Sequence, residues 1–137
     1  MLDGHIEYTA TLKNPKKVFL EKITYLGEAI EQYLTVHEYD LVVIEKPEFQ
    51  ESKRSITSLN DTLVHLTCGF ATILNAALDI YPPPKIQLVN PSEWKGNCPK
   101  RITKQRMVKR FGKDTVGNLP HDEIDALGLA VYAIENE

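Results

Sequence analysis

The sequence has few cysteines, no long apolar run and no leader-like start. Its two cysteines, Cys68 and Cys98, stand in no CxxC or Cys/His spacing, which excludes a disulfide framework and a thiolate metal site. No stretch approaches 18 consecutive apolar residues, and residues 1–20 lack the basic-then-apolar order of a signal peptide. We therefore expect no membrane span and no secretion, but a cytoplasmic protein. Repeats and linker-like segments are also missing, so residues 1–137 are predicted to form a single domain.

Basic residues are few overall but concentrated in one segment. The chain has 16 basic and 19 acidic residues. Eight of the basic residues lie between Lys95 and Lys113, where there is no acidic residue, so the rest of the chain carries 8 basic against 19 acidic residues. Such a segment predicts a binding site for a polyanion on an otherwise acidic body. A solvated helix face is the alternative.

Hydrophobic periodicity predicts an α/β layer fold. Alternation over residues 6–12 predicts a half-buried strand. Steps of four and three over residues 19–33 predict a helix that has Pro15 in its first turn and ends near Glu38. The apolar run 41–44 predicts a strand buried on both faces. Four further elements are predicted: a helix over 59–77, a strand over 85–89, a basic helix over 103–111 ended by Gly112, and a helix over 122–134.

Three carboxylates stand at positions where they can do chemistry. Asp122 and Asp125 are three residues apart on one helix face, where they repel unless they are solvated or neutralised by a divalent cation. A helix cap is the alternative for Asp122. Glu45 ends the buried strand at the edge where α/β sheets place ligands; a salt bridge to Lys46 or Lys53 is the alternative. Three oxygen donors without cysteine suit Mg²⁺ or Mn²⁺.

Two motifs in this order of elements resemble a known family. The second strand ends in VVIEKPEF and the last helix reads HDEIDALGLAVYAIE. Together with the intervening helix, strand and basic helix, they resemble the RuvC-type Holliday-junction resolvases of the RNase H-like superfamily, particularly the short phage-type members. The resemblance spans essentially the whole chain. It implies an RNase H-like mixed sheet flanked by helices.

The resemblance also implies an activity and its partners. The expected function is a metal-dependent, structure-selective endodeoxyribonuclease that cleaves Holliday junctions or other branched DNA in recombination or phage DNA processing. Family members act as two-fold dimers that match the symmetry of the junction, so we expect a homodimer, with the exposed faces of the first two helices as its interface. No membrane partner is expected.

The family's site residues carry over to matching positions of this chain. Glu45, Asp122 and Asp125 are implied as catalytic residues and ligands of two Mg²⁺ (or Mn²⁺) ions. Because some members have a histidine in place of the first paired acid, His121 is a further candidate ligand, and its spacing from Asp125 is i to i+4. A capping or surface role is the alternative for His121.

The segment NPSEWKGNCPKRITKQRMVKRFG resembles the family region that contacts the DNA backbone. It implies phosphate contacts by Lys95, Lys100 and Lys104. Phe49 resembles an aromatic residue that family members direct toward the bases near the junction, with a loop anchor as the alternative. Trp94 is predicted to be a packing residue beneath the basic loop.

The chain departs from the family at its start. Family members begin with a hydrophobic strand that ends in Asp, within Ile-Asp-Pro-Gly, followed by a second strand, and Asp3 does not fill that position. We therefore expect an N-terminally truncated version of the fold, or a reading frame that starts inside a longer one. The alternatives are a non-catalytic nucleic-acid-binding relative with an incomplete metal site and an RNA nuclease of the same superfamily.

Overall fold

The computed structural model describes residues 5–48, 56–96 and 99–136, with the side chains of 56–60 excepted. Within these ranges the fold is α/β, as predicted, with six helices and one parallel two-stranded sheet. The elements are α1 (Phe19–Val36), β1 (Leu41–Glu45), α2 (Ile56–Leu78), β2 (Lys85–Val89), α3 (Pro91–Trp94), α4 (Lys100–Phe111), α5 (Lys113–Val116) and α6 (His121–Glu135).

The chain divides into two compact units. The sheet unit is Lys13–Asn90 and holds α1, β1, α2 and β2. The helical unit combines Met1–Leu12 with Pro91–Glu137 and holds α3 to α6. No change of composition marks the two boundaries, so the sequence did not indicate this division. That both units belong to one nuclease domain stays a prediction.

In the sheet unit, β1 and β2 pair in parallel, with Leu41 opposite Lys85 and Glu45 opposite Val89. Both strands lie where they were predicted. The prediction that β1 is buried on both faces is wrong, because only Ile44 is buried. Among the described residues the sheet has two strands, so β1 has a strand neighbour on one edge only. A continuous apolar run therefore identified the strand but not the depth of its burial.

Helix α1 begins later than predicted because of a local turn. The side-chain oxygen of Asn14 accepts a hydrogen bond from the backbone N–H of Lys16 at 3.0 Å, and its amide donates to the carbonyl of Lys22 at 2.9 Å. This side-chain turn competes with helical backbone bonding. Pro15 consequently lies outside the helix, which starts at Phe19 and ends at Val36.

Helix α2 is long, apolar and largely uncovered. It packs on α1 and β1, and the His65 ring lies 4.6 Å from that of Phe19, centroid to centroid. Among the described residues, Asp61–Leu78 is the one helical segment long and apolar enough to cross a membrane, and 11% of it is buried. Core helices of soluble proteins meet the same criterion, so the absence of a membrane partner stays a prediction.

The helical unit is built around a small apolar core. Met107, Val116 and Ile124 are buried together. Helix α4 ends where predicted, at Gly112, whose φ of 92° is accessible to glycine and whose N–H donates to the carbonyl of Val108 at 2.8 Å. The four-residue helices α3 and α5 were not predicted, because an element of one turn carries no periodic signal.

Residues 5–12, which we call the N-terminal strap, form no strand, so the strand predicted there is wrong. Ile6 packs on the core of the helical unit. The hydroxyl of Thr11 donates a 2.8 Å hydrogen bond to the carboxylate of Glu123, which is a buried residue of α6. The alternation of apolar residues did not indicate which side chains face the protein, because Ile6 and Leu12 are half-buried whereas Tyr8 and Ala10 are exposed.

Candidate functional site

The first turn of α6 brings together two of the predicted site residues. Nε2 of His121 lies 3.1 Å from Oδ2 of Asp125, the contact that their i to i+4 spacing indicates. Helix α6 starts at His121, and its N-cap position is Pro120, without a side-chain capping bond. Neither His121 nor Asp122 is therefore the N-cap residue of α6. Asp122 is exposed in the first turn, where its charge complements the helix dipole.

A third side chain reaches the same carboxylate from outside the helix. Nζ of Lys95 lies 3.8 Å from Oδ2 of Asp125, and both side chains are partly buried, with 31% and 24% exposed. The same Nζ lies 5.2 Å from the centroid of the Trp94 ring. Lys95, predicted to contact phosphate, is thus placed on an acidic residue of the site. His121, Asp125 and Lys95 form the Asp125 cluster.

Packing between α3 and α6 holds this cluster in place. A β-carbon built on Gly128 would lie 2.7 Å from Cζ3 of Trp94, a distance that side-chain contacts do not reach. Gly128 is therefore the position that lets the Trp94 ring lie against α6. The predicted packing role of Trp94 is confirmed. The importance of Gly128 was missed, and the available signal was the small-residue run of Ala126, Gly128 and Ala130.

Gly128→Ala should destabilise the helical unit by about 1–3 kcal/mol, because the added methyl group overpacks the contact with Trp94. The matched control is Gly69→Ala in α2, where a β-carbon meets Leu26 at an ordinary 3.9 Å. That control should stabilise its helix by about 0.5–1 kcal/mol through helix propensity. Urea unfolding, followed by circular dichroism and Trp94 fluorescence, measures both. Equal stability of Gly128→Ala and the unmodified chain would contradict the packing described.

The basic segment divides into paired and exposed residues. Two of its members contact acidic side chains of α6: Lys95 contacts Asp125, and Arg110 contacts Glu135 at 2.6 Å. Lys100 and Lys104 are exposed one turn apart on α4 and form no ion pair with described residues. The other exposed basic residues are Arg101, Arg106, Lys109 and Lys113. Since α4 packs on α6, these charges and the Asp125 cluster belong to one compact unit.

Two predicted site residues lie outside the helical unit's sequence: Glu45, which ends β1, and Phe49, which follows β1 in the sequence. Glu45 is exposed and ends β1, as predicted, and its edge of the sheet is also the carboxyl end of β2. Phe49 lies outside the described residues, as does Lys53. Glu45 lies in the sheet unit and the paired acids in the helical unit. The prediction that they share a metal ion therefore stays a prediction.

The donor chemistry of α6 suits a hard divalent cation. The start of the helix supplies two carboxylates, from Asp122 and Asp125, which are ligands that Mg²⁺ and Mn²⁺ prefer, and the imidazole of His121, which suits softer transition metals. Among the residues that the structure describes, however, no group of three or more His, Cys, Asp or Glu side chains is arranged to hold a metal ion. The Asp125 cluster contains two potential ligands and, beside them, the ammonium group of Lys95.

No known protein family and no curated protein matches the chain. The resemblance to the RuvC-type resolvases therefore rests on the two motifs and the basic segment alone.

Proposed function

We propose that the protein is a metal-dependent, structure-selective endodeoxyribonuclease of the RuvC type, with an RNase H-like fold, acting in the cytoplasm on branched or four-way DNA. The observation that carries the proposal is the Asp125 cluster at the start of α6, a helix that packs on the basic helix α4. A nuclease needs a carboxylate that can hold a cation beside a surface that can hold phosphate. In this proposal Asp125 is that carboxylate and the exposed basic residues of α4 are that surface.

The acidic part of the proposed site is a partial ligand set. Asp125 and His121 would hold Mg²⁺ or Mn²⁺, with Asp122 as a neighbouring carboxylate. Bound ions would supply activation of the attacking water and stabilisation of the leaving 3′-oxygen. Glu45 enters as a further ligand through the resemblance alone. The family's first-strand aspartate has no counterpart in this sequence.

The basic part of the proposed site positions the substrate. Lys100 and Lys104, exposed on one side of α4, would each contact a phosphate, and neighbouring basic residues would extend the contact along a DNA arm. Such contacts fix the position of the DNA on the protein but do not recognise its base sequence. By resemblance, Phe49 would reach the bases near the branch point.

A homodimer is part of the proposal, and exposed apolar side chains on the sheet unit support it. Helix α1 has no buried residue. Large hydrophobic side chains remain exposed on α1 and α2: Leu20, Val36, Val64, Leu66 and Leu78. Apolar surface of this kind marks contact sites in soluble proteins. A two-fold dimer through these helices would present two sites to the two symmetric strands of a four-way junction.

A second candidate function is non-catalytic nucleic-acid binding. This function is favoured by the contacts that Asp125 already makes, since its Oδ2 atom lies close to the side chains of both Lys95 and His121. A carboxylate neutralised by the ammonium group of Lys95 needs no metal ion to be stable. In that case α4 would bind phosphate while the acidic residues would serve only to hold α6 and the basic segment together.

A nicking assay on four-way DNA with Mg²⁺ separates the two candidates. We expect cleavage of the four-way substrate in preference to linear duplex and single strands, and loss of cleavage on chelation of the metal. An RNA duplex of the same sequence tests the third possibility, an RNA nuclease. Tight binding of four-way DNA without cleavage under any divalent cation would favour the non-catalytic function.

A further inference from the structure

We infer that two copies of this chain join their sheets edge to edge, with β1 of one copy pairing antiparallel to β1 of the other about a two-fold axis at Val43. The inference goes beyond the proposed function, because it concerns the surface through which the chain assembles and holds whether or not the chain cleaves DNA. This interface is distinct from the apolar faces of α1 and α2, and the experiment below separates the two surfaces.

One edge of β1 carries backbone groups that β2 does not use. The carbonyl of Asp40 accepts a 3.0 Å hydrogen bond from β2, and the N–H of Lys46 donates a 2.8 Å hydrogen bond to β2. Alternate residues of a strand face opposite neighbours, so the N–H and C=O groups of Leu41 and Val43 face away from β2. There they form no backbone hydrogen bond with a described residue. That edge is a template on which a further strand can pair.

The sequence of β1 gives this edge no protection against pairing. Edge strands in natural proteins carry charged residues, prolines or bulges that stop another chain from adding. Residues 41–44 read Leu-Val-Val-Ile, and of these only Ile44 is buried. Apolar and β-branched side chains pack well beside those of a neighbouring strand. An added strand would therefore cover apolar side chains and also bond the unused backbone groups.

Charges at the two ends of β1 favour a second copy, in antiparallel register, as the added strand. In a two-fold pair centred on Val43, Leu41 lies opposite Glu45 of the second copy, so the full strand is paired. The same register places Asp40 opposite Lys46 of the second copy, and symmetry repeats this pair. Asp40 is exposed and Lys46 is half-buried, and neither forms an ion pair with a described residue. Opposite charges directly across a strand pair stabilise it.

Exchanging the charges at the two ends of β1 tests this register. We expect sedimentation equilibrium of the full-length chain to show a dimer. Asp40→Lys and Lys46→Asp, each alone, should weaken the dimer at least about fivefold, because two attractive pairs become two repulsive pairs. The double variant should restore the dimer. The two positions lie about 20 Å apart along one strand, so the restoration can come only from a contact between copies.

Hydrogen exchange and a helix variant complete the test, with the fold of each variant checked by circular dichroism. The amides of Leu41 and Val43 should be protected in the dimer and exchange faster on dilution, whereas that of Ile44, which faces β2, should stay protected. Leu66→Gln changes an exposed residue of α2 and should leave the dimer intact.

A dimer unaffected by the single charge changes would overturn the edge interface, and its loss in Leu66→Gln would assign the homodimer of the proposed function to the helices. A double variant that dimerises no better than the single variants would also overturn the edge interface. A chain that is monomeric at every concentration would overturn both interfaces, while the nicking assay would still test the proposed activity.

Discussion

Asp125→Asn should abolish Mg²⁺-dependent nicking of four-way DNA, with a loss of at least about a hundredfold, while binding of the junction stays intact or becomes stronger. Asparagine keeps the shape of the side chain but removes the negative charge that a divalent ion requires. Loss of groups that merely orient metal ligands already reduces metal affinity or activity by about 10- to 100-fold. Binding should not fall, because the change removes a negative charge from a surface that faces phosphate and frees Lys95 from its ion pair.

Asp114→Asn is the matched control for this variant. Asp114 is an exposed acidic residue of α5 in the same unit, outside the Asp125 cluster. It should cut as the unmodified protein does, with a similar small gain in binding from the charge change. Gel-shift titrations and single-turnover nicking rates on the same four-way DNA give the two readouts. Cutting by Asp125→Asn at the unmodified rate would remove Asp125 from the site.

Replacing Lys100 and Lys104 together by alanine should weaken binding to branched and linear DNA alike, and should flatten its dependence on salt. Each phosphate contact contributes a slope of about −0.9 to the plot of log affinity against log salt concentration on duplex DNA. Two lost contacts should therefore reduce the slope by about two units. The preference for branched over linear DNA should survive, since in this proposal it comes from the dimer and from Phe49.

The control for the lysine pair is Lys16→Ala combined with Lys17→Ala. Both residues are exposed in the sheet unit, and the double change alters net charge by the same amount. Fluorescence anisotropy with labelled four-way and linear DNA, at several salt concentrations, compares the two double variants. A slope equal to that of the unmodified protein in the Lys100 and Lys104 variant would show that α4 is only a solvated helix face.

Elements with a long periodic pattern or a compact apolar run were predictable from the sequence. Helices α1, α2 and α6 and both strands lie close to their predicted positions, because their signals are local. The contact between His121 and Asp125 was predictable for the same reason, since it depends only on helix geometry. Gly112 ended α4 as expected, because its positive φ is a property of the residue itself.

Contacts between distant segments were not predictable. Lys95 meets Asp125 and Trp94 meets Gly128 only because α3 packs on α6, and neither pair is marked by sequence spacing. The alternation over residues 6–12 predicted neither the structure nor the buried face of the segment, because Tyr8 and Ala10 are exposed and Ile6 packs on helices. The short helices α3 and α5 carry no pattern long enough to detect.

Because of the N-terminal strap, the two units can be completed at different stages of synthesis. The sheet unit is one continuous segment, Lys13–Asn90, and can fold as soon as that segment has left the ribosome. The helical unit needs both the strap and the residues after Pro91, and the hydrogen bond from Thr11 to Glu123 joins positions 112 apart in the chain. Closing so long a loop is slow and opposed by entropy. The strap can make its contact with Glu123 only after α6 has been synthesised, so the helical unit is completed later than the sheet unit.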